Sequence, residues 1–174
     1  MEERTSHSAA GRPLFGNGLV FLTTGFSKGE LLAIKPGKNG EVIDAKDAAP
    51  EGSGQLRIAW KSKRNVPRKP SLILSGDLLF GVEDDGGMAS CYEARTGTEV
   101  WRERLGGNYS SSPVIADGRI YFFNEEGKAV VIEAGRTFKK LAENSLADGC
   151  KASPAVSGKA LLVRTFTHLY SIEE

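Results

Sequence analysis

Three observations predict an all-β fold made of repeated four-stranded antiparallel sheets. Apolar residues come in short runs, the runs are split by Gly-, Asn- and Asp-containing turns, and the pattern recurs about every 41 residues. Glycine is abundant, 21 residues in 174, as many tight turns require, and methionine occurs only twice. A unit of about 40 residues with four strands buries its faces only by stacking on its neighbours, which is the sequence form of a β-propeller blade. About four blades are expected, the last incomplete.

Residues 1–11, MEERTSHSAAG, form a polar tail and make a poor strand. The first blade, 12–62, places LFG and LVFLT on either side of the Gly16-Asn17-Gly18 turn, then LLAIK, and its fourth run carries Trp60. A Gly-, Asp- and Lys-rich insertion at 37–57 separates its third and fourth strands and reads as a solvated loop. The second blade, 68–105, turns at Ser75-Gly76-Asp77 and again at EDDGG, runs through MASCYE, and reaches Trp101 after the Thr96-Gly97 turn. The third, 111–144, starts at Ser112-Pro113 and turns at Ala116-Asp117-Gly118 and at NEEG. The fourth, 152–174, starts at Ser153-Pro154, turns at Ser157-Gly158-Lys159, and stops after its third strand. Trp60 and Trp101 are 41 residues apart, and Pro70, Pro113 and Pro154 are taken as equivalent at spacings of 43 and 41. The tryptophans are read as anchors between adjacent blades.

EARTGTEVW followed by SSPVIADGRIYFF resembles the PQQ-like (pyrroloquinoline quinone-like) repeat, whose pattern is Asp-Ala-x-Thr-Gly-x-x-x-Trp, then Ser-Pro-x-x-x-x-Gly-x-x-Tyr. Ala94, Thr96, Gly97, Trp101, Ser112, Pro113, Gly118 and Tyr121 match, while Glu93 stands where the repeat has Asp. The resemblance covers 12–174, is strongest from Lys69 onward, and implies that these blades are part of a seven- or eight-bladed ring. It implies one of two lives. Quinoprotein alcohol dehydrogenases of this family hold pyrroloquinoline quinone and calcium at the centre of the ring; the outer-membrane assembly lipoprotein BamB shares the repeat and binds protein partners without a cofactor. Relatives are commonly periplasmic or attached to the cell envelope, whereas the N-terminal residues here lack the apolar core of a signal peptide.

Lys and Arg number 23 against 22 Asp and Glu, so no nucleic-acid footprint is expected, and no apolar stretch is long enough to span a membrane. In an up-and-down blade the turns joining strands two and three share a rim with the connections between blades. That rim gathers Arg64, Arg68, Lys69, Asp84, Asp85, Asn108, Tyr109, Asn124, Glu125 and Lys151, the expected surface for a protein or peptide partner. The paired acids Asp84-Asp85 and Glu125-Glu126 lack the alternating spacing of a calcium loop. Cys91 falls in register with Ala33, Val131 and Ser171 and reads as a buried small residue, whereas Cys150 lies in a connection and reads as more exposed. His7 and His168 make no dyad, and no nucleophile elbow, P-loop or HExxH occurs. No catalytic residue and no metal site are assigned.

The leading expectation is therefore a non-catalytic scaffold or binding module without a cofactor. The alternatives are part of a quinone-dependent oxidoreductase, or a truncated fragment without independent function. A homodimer in which two copies complete one ring is a further expectation.

Overall fold

The computed structural model describes residues 10–25, 29–37, 57–64 and 66–173. All but the ends of the 37–57 insertion, and residues 1–9 of the tail, lie outside them. Within them the fold is all-β, with fifteen strands in four antiparallel sheets. Blade 1 comprises β1 (Leu14–Gly16), β2 (Leu19–Thr23), β3 (Leu31–Lys35) and β4 (Arg57–Ser62). Blade 2 comprises β5 (Ile73–Ser75), β6 (Leu78–Val82), β7 (Met88–Glu93) and β8 (Glu99–Arg104). Blade 3 follows with β9 (Val114–Ala116), β10 (Arg119–Phe123), β11 (Lys128–Glu133) and β12 (Lys140–Ser145). Blade 4 has three strands, β13 (Ala155–Ser157), β14 (Ala160–Arg164) and β15 (Leu169–Ile172). Neighbours in sequence are neighbours in each sheet, so every blade is a meander.

Period-two alternation gives each blade a forward face and a backward face. Leu19, Phe21, Leu31 and Ala33 point forward from blade 1 into a core completed by Leu72, Leu79, Tyr92 and Ala94 of blade 2. Phe80, Val82, Ala89 and Cys91 do the same for blade 2 against Ile120, Phe122, Val130 and Ile132 of blade 3. Phe123 and Ala129 of blade 3 meet Val163 of blade 4, with Tyr121, Leu161 and Tyr170 packed around them. Cys91 is fully buried in its core, on the face its register with Ala33 implies.

The tryptophans seal two of these seams. Trp60 Nε1 donates to the Ala94 carbonyl across 2.8 Å, and Trp101 Nε1 to the Gly135 carbonyl across 2.9 Å. Gly97 has a φ of 72°, and a Cβ there would lie 2.5 Å from the Trp60 ring. Glycine is thus needed twice over, for its backbone conformation and for the room it leaves the preceding blade's indole. Opposite each tryptophan the ladder slips by one residue, between Ala33 and Ile34 and between Cys91 and Tyr92. Blade 3 has the same bulge after Val131, but the residue facing Val131 is Ala142.

Strand register corrects one expected equivalence. Phe21, Phe80, Tyr121 and Leu162 pair with Leu14, Ile73, Val114 and Ala155. Two residues before each partner stand Arg12, Ser71, Ser112 and Ser153, so Pro113 and Pro154 correspond to Leu72, not to Pro70. The backbone explains why the serines matter. Arg12 N–H donates to Ser71 Oγ, Ser71 N–H to Ser112 Oγ and Ser112 N–H to Ser153 Oγ, each across 2.9 Å. This chain of bonds links the first strands of all four blades.

Candidate functional site

The turns after β2, β6, β10 and β14 and the connections between blades do share one rim, and acidic side chains fasten them together. Buried Asp84 accepts from the Arg68 backbone N–H at 3.2 Å and from Arg68 Nε at 2.9 Å. Glu125 occupies the next blade's equivalent position, 41 residues on. It accepts from the Ser110 hydroxyl and pairs with Lys69 Nζ at 3.9 Å and Lys151 Nζ at 3.6 Å. Those three partners come from three successive connections, so one carboxylate ties the rim of all four blades. Asn108 holds the neighbouring turn through its N–H and Nδ2, both donating to Glu126.

Three residues expected at a docking surface are instead spent on the scaffold. Tyr109 is fully buried in the core between blades 2 and 3, its N–H donating to the Asp84 carbonyl at 3.0 Å. A connection that crosses from an outer strand to the next inner strand passes over the seam, and the residue at mid-span drops into it. Cys150, 41 residues later, makes the same descent: it is buried, not exposed, and its N–H donates to the Asn124 carbonyl at 3.1 Å. Asn124 is buried as well, its side-chain carbonyl accepting from the Glu126 and Lys128 N–H groups to cap its own turn. Asp84 is the third, consumed by Arg68. Arg64, Asp85, Asn108, Glu126, Lys151 and Phe166 remain exposed on the rim, Phe166 at 57%. Phe166 stands at the Glu125 position of blade 4, with Lys151 Nζ 5.9 Å from its ring centroid. Sequence reading passed over this phenylalanine, although a large apolar residue in a polar turn position was a signal for it.

Nucleophilic chemistry finds no support in these groups. Burial pushes the Cys91 thiol up to about 12 and raises that of Cys150, so neither is a thiolate near neutrality. Burial likewise raises the Tyr109 phenol, whose hydroxyl has no hydrogen-bond partner. No three His, Cys, Asp or Glu side chains among the described residues are grouped to hold a metal ion.

The first strands of the four blades surround a cavity of about 570 Å³, the place where the resemblance would put a quinone. Its walls include Phe15, Leu72, Leu74 and Ile115, with Ser71, Ser112, Ser153 and Arg12 as the polar groups. Pyrroloquinoline quinone is a tricarboxylate and calcium needs several oxygen ligands. One arginine and three serines whose oxygens already accept backbone bonds, with no carboxylate among the described lining residues, do not fit that pair.

With this geometry in hand, the family profile described as Outer membrane protein assembly factor BamB matches residues 39–164. The chain belongs to this family. Its fold is also that of BamB from Moraxella catarrhalis, with a TM-score of 0.64 at 14% identity over 92% of this chain and 44% of that one. A quinohemoprotein alcohol dehydrogenase, ADHIIG, from Pseudomonas putida HK5 superposes with a TM-score of 0.66 at 11% identity, over 93% of this chain and 29% of that one. The computationally designed Ika4 protein gives 0.69 at 11% identity, over 99% of this chain and 94% of that one. The chain thus spans less than half the length of its BamB and dehydrogenase neighbours, and the likenesses at these identities establish the fold. No curated protein matches it. No helix among the described residues is long and apolar enough to cross a membrane, which says nothing about crossing by strands.

Proposed function

We propose that this BamB-family chain is a non-catalytic binding module, without a cofactor, whose rim docks a protein partner. One observation carries the reading: the rim is pinned by Asp84 and Glu125 yet leaves an exposed Phe166 flanked by charged side chains of both signs. A rigid loop surface with an aromatic anchor loses little conformational entropy on binding. The family's description as an assembly factor of the outer membrane supports a partner from that machinery. A second copy of the chain is a further partner, supported by apolar side chains exposed on the outer faces of blades 1 and 4.

Photo-crosslinking residues introduced at positions 126 and 166, with position 140 on β12 as control, test the rim. Discrete adducts of one protein from the two rim positions, and none from the control, are the expected result. Equal adducts from all three positions, or none, would overturn it. Titration with pyrroloquinoline quinone and calcium separately tests the absence of a cofactor, and a saturable spectral change would revive the oxidoreductase reading.

A further inference from the structure

Among the described residues, β15 is the one third strand with a neighbour on one side only: β3, β7 and β11 each lie between two strands, whereas β15 pairs with β14 alone. Thr165 N–H donates to the His168 carbonyl, so along the β14–β15 ladder Tyr170 and Ile172 turn their own N–H and C=O groups toward β14. Leu169 and Ser171 turn theirs outward, and such a row of unpaired groups is a template for another strand. The register says what that strand carries. Ser171 pairs with Leu162 as Ala33 does with Phe21 and Cys91 with Phe80, and the residues facing Ala33 and Cys91 from the outer strands are Trp60 and Trp101. Those indoles pack on Phe21 and Phe80, with ring centroids 6.0 and 5.9 Å apart. The same forward face of blade 4 offers the half-buried Leu162 and the exposed Leu169. Charge fixes the other end. Glu173 stands in register with Glu133, which accepts from Lys139 Nζ at 2.7 Å, and Lys139 lies three residues before Ala142, the residue facing the bulge. Glu173 is exposed and has no ion-pair partner among the described residues.

We propose that the outer edge of β15 binds an extended segment of a partner polypeptide, antiparallel to it, with a tryptophan opposite Ser171 and a basic residue three positions earlier, opposite Glu173. The spacing is three and not two because the outer strand bulges between these positions in blades 1 to 3. Main-chain bonds to Leu169 and Ser171 supply the pairing, and the two side chains supply the selection. The indole covers Leu162 and Leu169, and the cation meets Glu173 as Lys139 meets Glu133. The edge runs along the outside of blade 4, not on the rim pinned by Asp84 and Glu125, so it stands or falls separately from the docking rim.

The test is titration of the 174-residue chain with a capped peptide of the β4 sequence, Arg-Ile-Ala-Trp-Lys-Ser, followed by amide chemical shifts and hydrogen exchange. Saturable binding is expected, with shifts confined to residues around 162 and 169–173 and with protection gained at the amides of Leu169 and Ser171. Alanine in place of the peptide's tryptophan should weaken binding at least about fivefold. Methylation of that tryptophan's backbone nitrogen removes the donor to the Ser171 carbonyl and should abolish binding. A peptide with glutamate in place of its arginine should bind about twofold to fivefold more weakly than the parent, and Glu173→Lys, a surface change that keeps the fold, should reverse that preference. No saturable binding at millimolar peptide, shifts centred elsewhere, alanine or N-methyl peptides that bind as well as the parent, or a charge preference unchanged by Glu173→Lys would each overturn the proposal.

Discussion

Cys91 shows how much one seam position controls. Its side chain lies wholly within the core between blades 2 and 3, in the place where blade 1 has Ala33, and burial raises its pKa from 9.0 to about 12. The folded protein therefore keeps a proton that the unfolded chain releases. Above pH 9 the unfolded state binds fewer protons than the native one, so stability falls with rising pH until the native thiol also ionises near 12. The slope from this group approaches about 1.4 kcal/mol per pH unit. Urea unfolding at pH 8, 9, 10 and 11 should show that decline, and Cys91→Ala should make it shallower while folding normally, as Ala33 does at the same position. The raised phenols of Tyr92 and Tyr109 act in the same direction and leave a residual slope in the variant. An unchanged slope in Cys91→Ala would remove the thiol from this account. Near neutrality, thiol reagents should react with neither cysteine until the chain unfolds.

Strand order, turn positions and the burial of the third strands of blades 1 to 3 were legible in the sequence because period-two alternation and Gly-containing turns are local signals. The rim was harder. Whether Tyr109 or Cys150 faces solvent depends on where a connection crosses a seam, a property of two blades together that neither strand pattern carries. The serine chain was legible in principle: Ser71, Ser112 and Ser153 recur at exact intervals of 41, but the more conspicuous prolines drew the register two residues off at Pro70. That chain makes a prediction at the level of the element. In Ser112→Ala the Ser71 N–H loses its acceptor between the first strands of blades 2 and 3, for a cost of about 1 to 2 kcal/mol, more than an exposed hydroxyl would warrant. Chemical denaturation measures this directly, and the amide of Ser71 should lose its protection from hydrogen exchange in the same variant. A shift below about 0.5 kcal/mol, the range of neutral surface changes, would mean that water replaces the serine without loss.

At the level of the whole molecule, the three cores join blade 1 to 2, 2 to 3 and 3 to 4, and among the described residues none joins 4 to 1. Two faces of opposite kind remain. Phe15, at 71% exposure, shares the backward face of blade 1 with Val20 and Ile34, and Leu169, at 75%, lies on the forward face of blade 4. Forward meets backward in every internal seam, so two copies arranged head to tail about a two-fold axis would cover both faces of each, through two identical contacts. The contact differs from an internal seam in one respect. Ser153 N–H would meet Arg12, which has no hydroxyl, so the serine chain is interrupted at both joins. Each join would thus be weaker than the seams within a copy, and dilution should separate the copies before either unfolds. Light scattering across a hundredfold concentration range should show a dimer giving way to monomer with an unchanged circular dichroism spectrum. Phe15→Asp combined with Leu169→Asp places carboxylates in both joins and should leave a folded monomer at every concentration. A wild-type chain that stays monomeric at the highest concentration would rule out the self-pairing, whereas a dimer unaffected by the double variant would place the contact elsewhere on the surface.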